Sequence, residues 1–144
     1  MFLQMMIPHH QQAVDISELA LKVSEDAELL ALATAIRDGQ SAEIIKMEKW
    51  LSDSNSDPGV GNSMGDSMGG MLSDSELSDL KAATGKKFDL LWLKGMTDHH
   101  DGAIHMSQMI EDAKNPEIKR FGENIVRDQA AQIEQMKAMI ARLS

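Results

Sequence analysis

Apolar positions recur along most of this chain at spacings of three and four, the period of a helix with one buried face. Leu29, Leu32, Ile36, Met47 and Leu51 define one such stripe, and Ile118, Phe121, Ile125, Met136 and Ile140 define another. Polar residues interrupt both at matching points: Gln40 and Glu43 in the first, Gln129 and Gln132 in the second. The segments ahead of these stripes carry Met6, His9, His10 and Ala13, then Met96, His99, His100 and Ala103. At about 100° per residue, each of these sets falls within one face of a helix. The pattern predicts long helices near 1–23, 25–51, 86–113 and 116–143.

The chain is an internal repeat. Leu3, Met6, His9, His10, Ala13 and Ser17 match Leu93, Met96, His99, His100, Ala103 and Ser107 at an offset of 90. Ile36, Gln40, Ala42, Ile44 and Met47 match Ile125, Gln129, Ala131, Ile133 and Met136 at 89. The change of one falls where a turn between paired helices is expected, so each copy reads as a helical hairpin. Asn115-Pro116 is a good cap with Pro at the first helical position, and Ser24 is the matching cap expected in the first copy.

Between the copies, residues 52–72 are rich in Ser, Gly and Asp and show no apolar period, so this stretch reads as a flexible crossover. Ser73 or Asp74 then caps a short helix through about Thr84, with Gly85 expected just past its end. The expected plan is one domain over 1–144: hairpin 1–51, linker with short helix 52–85, hairpin 86–144. Two such hairpins bury their stripes best against each other, giving an all-α four-helix bundle with a pseudo-twofold axis. Under that symmetry the two Met-His-His motifs either converge near the bundle axis or form separate equivalent sites.

Composition agrees with helices: 42% hydrophobic but only 3% aromatic, with 12 Met, so the core is built from Leu, Ile, Ala and Met. A net charge of −9 repels phosphate backbones and anionic lipid, which argues against nucleic acid as a partner. No stretch approaches the ~20 apolar residues of a membrane span, so this segment is not expected to insert into a membrane. The chain opens on Met1-Phe2-Leu3, already in apolar phase, which predicts further residues upstream and a targeting segment with them. The absence of Cys is consistent with an oxidising compartment and restricts any soft-metal site to Met and His.

Thioether sulfur favours soft ions such as Cu(I), and neutral imidazole is a general metal donor. The doubled motif therefore marks Met6, His9, His10, Met96, His99 and His100 as copper ligands, joined by Met106, whose counterpart is Ile16. Gln40 with Glu43, and Gln129 with Gln132, are expected to orient the rings and fix the tautomer offered to metal. His105 reads as a surface residue that, with Met109, can form an auxiliary site. Met64, Met68 and Met71 lie in a polar segment where packing does not explain them, and are read as a possible thioether trap or as a cap on an apolar groove. Affinity is expected to fall below the ordinary His pKa of about 6.5.

Two other readings remain at this stage: a scaffolding bundle with structural His pairs, and a di-iron oxidase. The second needs Glu-x-x-His and several carboxylates, whereas only Glu43 is a core carboxylate and its copy is Gln132. No nucleophile with base and oxyanion site is evident, so an enzyme is not expected.

The segments MMIPHHQQAVDISELA and FDLLWLKGMTDHHDGAIHMSQM, with GGMLSDSELSDLKAATGKKFD between them, resemble the family catalogued as domain of unknown function 305. The resemblance implies a ferritin-like four-helix bundle, an extracytoplasmic location, and copper binding in metal tolerance for some members. The family's Met/His pattern lands on Met6, His9, His10, Met96, His99, His100 and Met106; Ile16, where members often carry Met, departs from it. The combined expectation is a copper-binding protein, Cu(I) favoured, that sequesters the ion or passes it to a copper-delivery protein, its oligomeric state open.

Overall fold

The computed structural model describes residues 2–53 and 69–144. They form α1 (Phe2–Val23), α2 (Ala27–Asp53), α3 (Asp74–Ala82), α4 (Gly85–Ser107) and α5 (Pro116–Leu143), with a 3-10 turn at Gln108–Ile110. Met64 and Met68 lie outside the described residues.

Local chemistry sets the ends. Asn115 Oδ1 accepts from Glu117 N at 2.9 Å with Pro116 opening α5, as expected. Ser73 and Glu76 form a capping box on α3, each side chain accepting from the other's backbone N–H at 3.1 and 3.0 Å. Three expectations are corrected. Ser24 does not cap α2: Asp26 Oδ1 takes the Leu29 N–H at 3.0 Å, and Ser24 Oγ instead donates to Asp89 at 2.7 Å inside the molecule. Gly85 does not end α3, which is closed by Ala83; it starts α4, where its φ of +61° is easy for glycine. Finally, α4 stops at Ser107, short of the expected end near 113, because the chain tightens into the 3-10 turn. That turn sets Ile110 on Gly122, where a Cβ would lie 2.8 Å from the Ile110 side chain.

Two apolar clusters form the core. One holds Ile16, Leu29, Ile36, Trp92, Met96 and Met136; the other holds Phe2, Met6, Met47, Met106, Phe121 and Ile125. Each long helix passes from one cluster to the other at its own polar interruption: His9-His10 in α1, Gln40 in α2, His99-His100 in α4, Gln129 in α5. The order of crossing runs one way in α1 and α5 and the opposite way in α2 and α4. α1 packs chiefly on α2 and α4 on α5, with α1 against α4 and a lighter α2–α5 contact closing the ring, so every neighbour is antiparallel. α2 ends beside one cluster and α4 begins in the other, at opposite ends of the bundle, the ferritin-like arrangement.

Trp92 is fully buried and ties the halves together, its Nε1 donating to the Ile16 carbonyl at 2.9 Å. Trp50 sits partly buried near the other end, edge-on to Phe121 with ring centroids 5.0 Å apart. Among the described residues, no helix is long and apolar enough to cross a membrane.

Candidate metal centre

The polar interruptions of the four helices meet in one layer between the clusters. His9, His10, His99 and His100 are each fully buried there. The His9 and His99 rings touch across the pseudo-twofold axis, centroids 3.7 Å apart and planes tilted by 31°. The motifs therefore converge on the bundle axis, the first of the two arrangements left open by the sequence.

Three rings are anchored through the same nitrogen. His9 Nε2 donates to the Gly69 carbonyl at 3.0 Å, His10 Nε2 to Glu43 Oε1 at 2.8 Å, and His100 Nε2 to Gln132 Oε1 at 2.6 Å. A carbonyl or carboxylate oxygen only accepts, so each Nε2 carries the proton, and in the neutral ring Nδ1 then carries the lone pair. The Nδ1 atoms of His9, His10 and His100, and both nitrogens of His99, have no hydrogen-bond partner among the described residues. Burial pushes the His9 pKa down to about 4, with repulsion from His10 and His100 adding and the Gly69 bond opposing. Burial likewise holds His100 at about 4, against the raising effect of its bond to Gln132. His99 lies well below its ordinary value, through burial first and then repulsion from the other three imidazoles. At neutral pH these three rings are unprotonated.

Of the four polar residues expected beside the imidazoles, Glu43 and Gln132 are hydrogen-bonded to them. Gln40 and Gln129 do not touch the imidazoles through hydrogen bonds: they sit in the layer, but Gln40 Nε2 and Oε1 and Gln129 Oε1 lack partners among the described residues. Met6 and Met96 are fully buried in opposite clusters, one on each side of the layer, and Met106 is buried beside Met6. Among the described residues, no three His, Asp or Glu surround a common point at ligating distance, so the imidazoles are gathered but not yet closed around one centre.

The auxiliary positions lie elsewhere. His105 is exposed and Met109 half exposed; with Met5, Asp98, Asp101 and Met106 they line an open cleft of about 730 Å³ between α1 and α4. Met71 is half-buried against the second apolar cluster, the groove-capping alternative for that residue.

The sequence pattern of the domain of unknown function DUF305 matches residues 1–140. The chain belongs to the DUF305 family. A DUF305 protein from Streptomyces coelicolor, described as secreted, superposes with a TM-score of 0.91 at 29% identity, covering 99% of this chain and 91% of that one. A DUF305 fragment from Deinococcus radiodurans gives 0.89 at 30% identity, covering 98% and 93%. CopM in its Cu(I)-bound form gives 0.83 at 32% identity, covering 98% and 94%, and CopM is also known in silver-bound, Cu(II)-bound and apo forms. No curated protein matches the sequence.

Sequence reasoning missed how this DUF305 chain closes its layer on the α1–α4 side. Gly69 supplies the His9 anchor, and Gln12 clamps the next residues, its Nε2 donating to the Leu72 carbonyl at 3.0 Å and its Oε1 accepting from Leu72 N at 2.9 Å. Gly70, at φ +78°, lies so close to α4 that a Cβ would fall 2.1 Å from the Asp98 carbonyl; at Gly102 a Cβ would fall 1.8 Å from the Gly69 carbonyl. The paired glycines of Met68-Gly69-Gly70-Met71 and a glycine in mid-helix at Gly102 were the available signals.

Proposed function

We propose that this DUF305 protein binds copper in the imidazole layer between its two apolar clusters, favouring Cu(I), and holds the ion or passes it on outside the cytoplasm. The observation that carries this reading is the set of anchored imidazoles whose Nδ1 lone pairs are left unbonded in a buried layer. Buried polar atoms without partners are costly, and an ion that accepts those lone pairs offsets the cost. Met6 and Met96 above and below the layer supply soft sulfur, while Glu43 is its one carboxylate, which suits a singly charged soft ion better than a di-iron centre. Likeness to CopM in its Cu(I)-bound form supports copper as the cargo, and the Streptomyces coelicolor relative described as secreted supports the location. The role proposed is binding rather than catalysis.

One observation favours a second reading, a structural imidazole layer in a scaffolding bundle: the stacked His9 and His99 rings are not disposed with a third donor around one point. Anaerobic titration with Cu(I) decides between them. The copper reading expects saturable uptake that is lost when His9, His10, His99 and His100 are all replaced by Leu, with the variant checked for folding by circular dichroism. Equal uptake by both proteins overturns the imidazole site. Metal content after purification without chelator adds an independent check: copper agrees, while iron would point to the oxidase class.

A further inference from the structure

The layer reaches the surface along two seams, and they differ. On the α1–α4 side the Gly69–Gly70 turn lies directly on α4 and is clamped through Leu72 by Gln12. On the opposite side α2 and α5 touch least of all neighbouring pairs, and a cavity of about 60 Å³ opens between them. Gly39, Gln40, Glu43, Asp128, Gln129 and Gln132 line it.

Two features of this cavity go unused by the imidazole site. Gln40 and Gln129 are 4% and 3% exposed, yet Gln40 Nε2 and Oε1 and Gln129 Oε1 have no partner among the described residues. A polar space of this size holds more than one water, and those amide atoms are the partners that ordered waters need. Glu43 and Gln132, the groups that hold His10 and His100, also line it, so one hydrogen bond separates cavity from imidazole. The Glu43 carboxylate on its wall biases the opening toward cations, while Asp128 is paired with Arg127 at 3.1 Å.

We propose that the α2–α5 cavity is a hydrated port and transit site through which water and small cations reach the buried layer, Gln40 and Gln129 replacing the hydration an ion sheds on entry. The cation part of this rests on the copper reading; the water part does not.

Gly39 offers a test that does not threaten the fold. It lies within α2 on the cavity wall with nothing within 4 Å of the place a Cβ would occupy, and replacing a helical glycine raises helix propensity. Gly39→Leu plugs the opening; Gly39→Ala changes helix propensity while leaving it open. Stopped-flow uptake of Ag(I) is expected to slow by about tenfold or more in Gly39→Leu only, with equilibrium affinity unchanged. An unchanged rate in Gly39→Leu overturns the port. In the metal-free protein, water cross-peaks to the Gln40 and Gln129 side-chain amides are expected by NMR and should vanish in Gly39→Leu. If the wild-type protein takes up no Ag(I), the copper reading fails, and these cross-peaks alone decide the port: present and lost on plugging supports it, absent from the wild type overturns it.

Discussion

Gln12 and Gly102 occupy equivalent points of the two hairpins, and the molecule treats them in opposite ways. Gln12 reaches out and holds both backbone groups of Leu72, whereas Gly102 withdraws so that the Gly69 carbonyl can sit against its backbone. The crossover can pass over only one face of a twofold bundle, so the two copies had to diverge where it lies. The same asymmetry runs inward. His9 is tied to Gly69 while His99 has neither nitrogen bonded among the described residues; His10 leans on the carboxylate of Glu43 and His100 on the amide of Gln132. Buried Ile16 faces the role that Met106 fills with sulfur. Repetition delivers the donors to one layer, and single departures from it set how each donor is held.

Acid should break both halves together and gives the largest expected effect. His9 and His100 have folded pKa values near 4 against about 6.5 in the unfolded chain, so the unfolded state binds protons that the fold refuses. Their contribution is fully present above pH 6.5 and is lost as pH falls toward 4, of order 3 kcal/mol for each ring. Denaturant unfolding of the metal-free protein across that range checks it; stability that stays level from pH 6.5 to 4 would contradict neutral burial.

The next comparison is between the anchors. Glu43→Gln makes the first half like the second and should weaken copper affinity by about 10- to 100-fold, the usual consequence of losing a charged partner behind a metal-bound His. Gln132→Glu should strengthen binding through the second half. Competition titration with a Cu(I) chelator measures both, and equal affinities across the set would show that the anchors do not tune the rings.

Smaller effects come from the crossover. Gly102→Ala places a methyl against the Gly69 carbonyl and should destabilise by about 1–2 kcal/mol, overpacking outweighing the helix-propensity gain. Gln12→Ala removes two hydrogen bonds to Leu72 and should cost about 1 kcal/mol, with faster hydrogen exchange at the Leu72 amide. A Leu72 amide that exchanges no faster would mean that the clamp does not hold the turn.

Much of this is legible in the sequence. Periodicity placed the four long helices, and the polar breaks put Glu43 and Gln132, with Gln40 and Gln129, among the candidate partners of the imidazoles, because both depend on short-range spacing; whether the two His pairs meet was left open by the repeat. What was not legible depends on contacts between distant segments. The role of Ser24 is set by Asp89, the end of α4 by the approach of Ile110 to Gly122, and the His9 anchor by a backbone carbonyl that no side-chain pattern announces. Gln40 and Gln129 sat at the right depth, but only the α2–α5 gap shows that they face a cavity rather than the rings.

The most direct measurement is ¹⁵N NMR of the imidazoles before and after addition of Ag(I) as a redox-inert stand-in for Cu(I). The account predicts that His9, His10 and His100 carry the proton on Nε2 in the metal-free protein and that the ion shifts Nδ1 while Nε2–H is retained. Nδ1 resonances that stay fixed while the ion binds only at His105 and Met109 on the surface would contradict it.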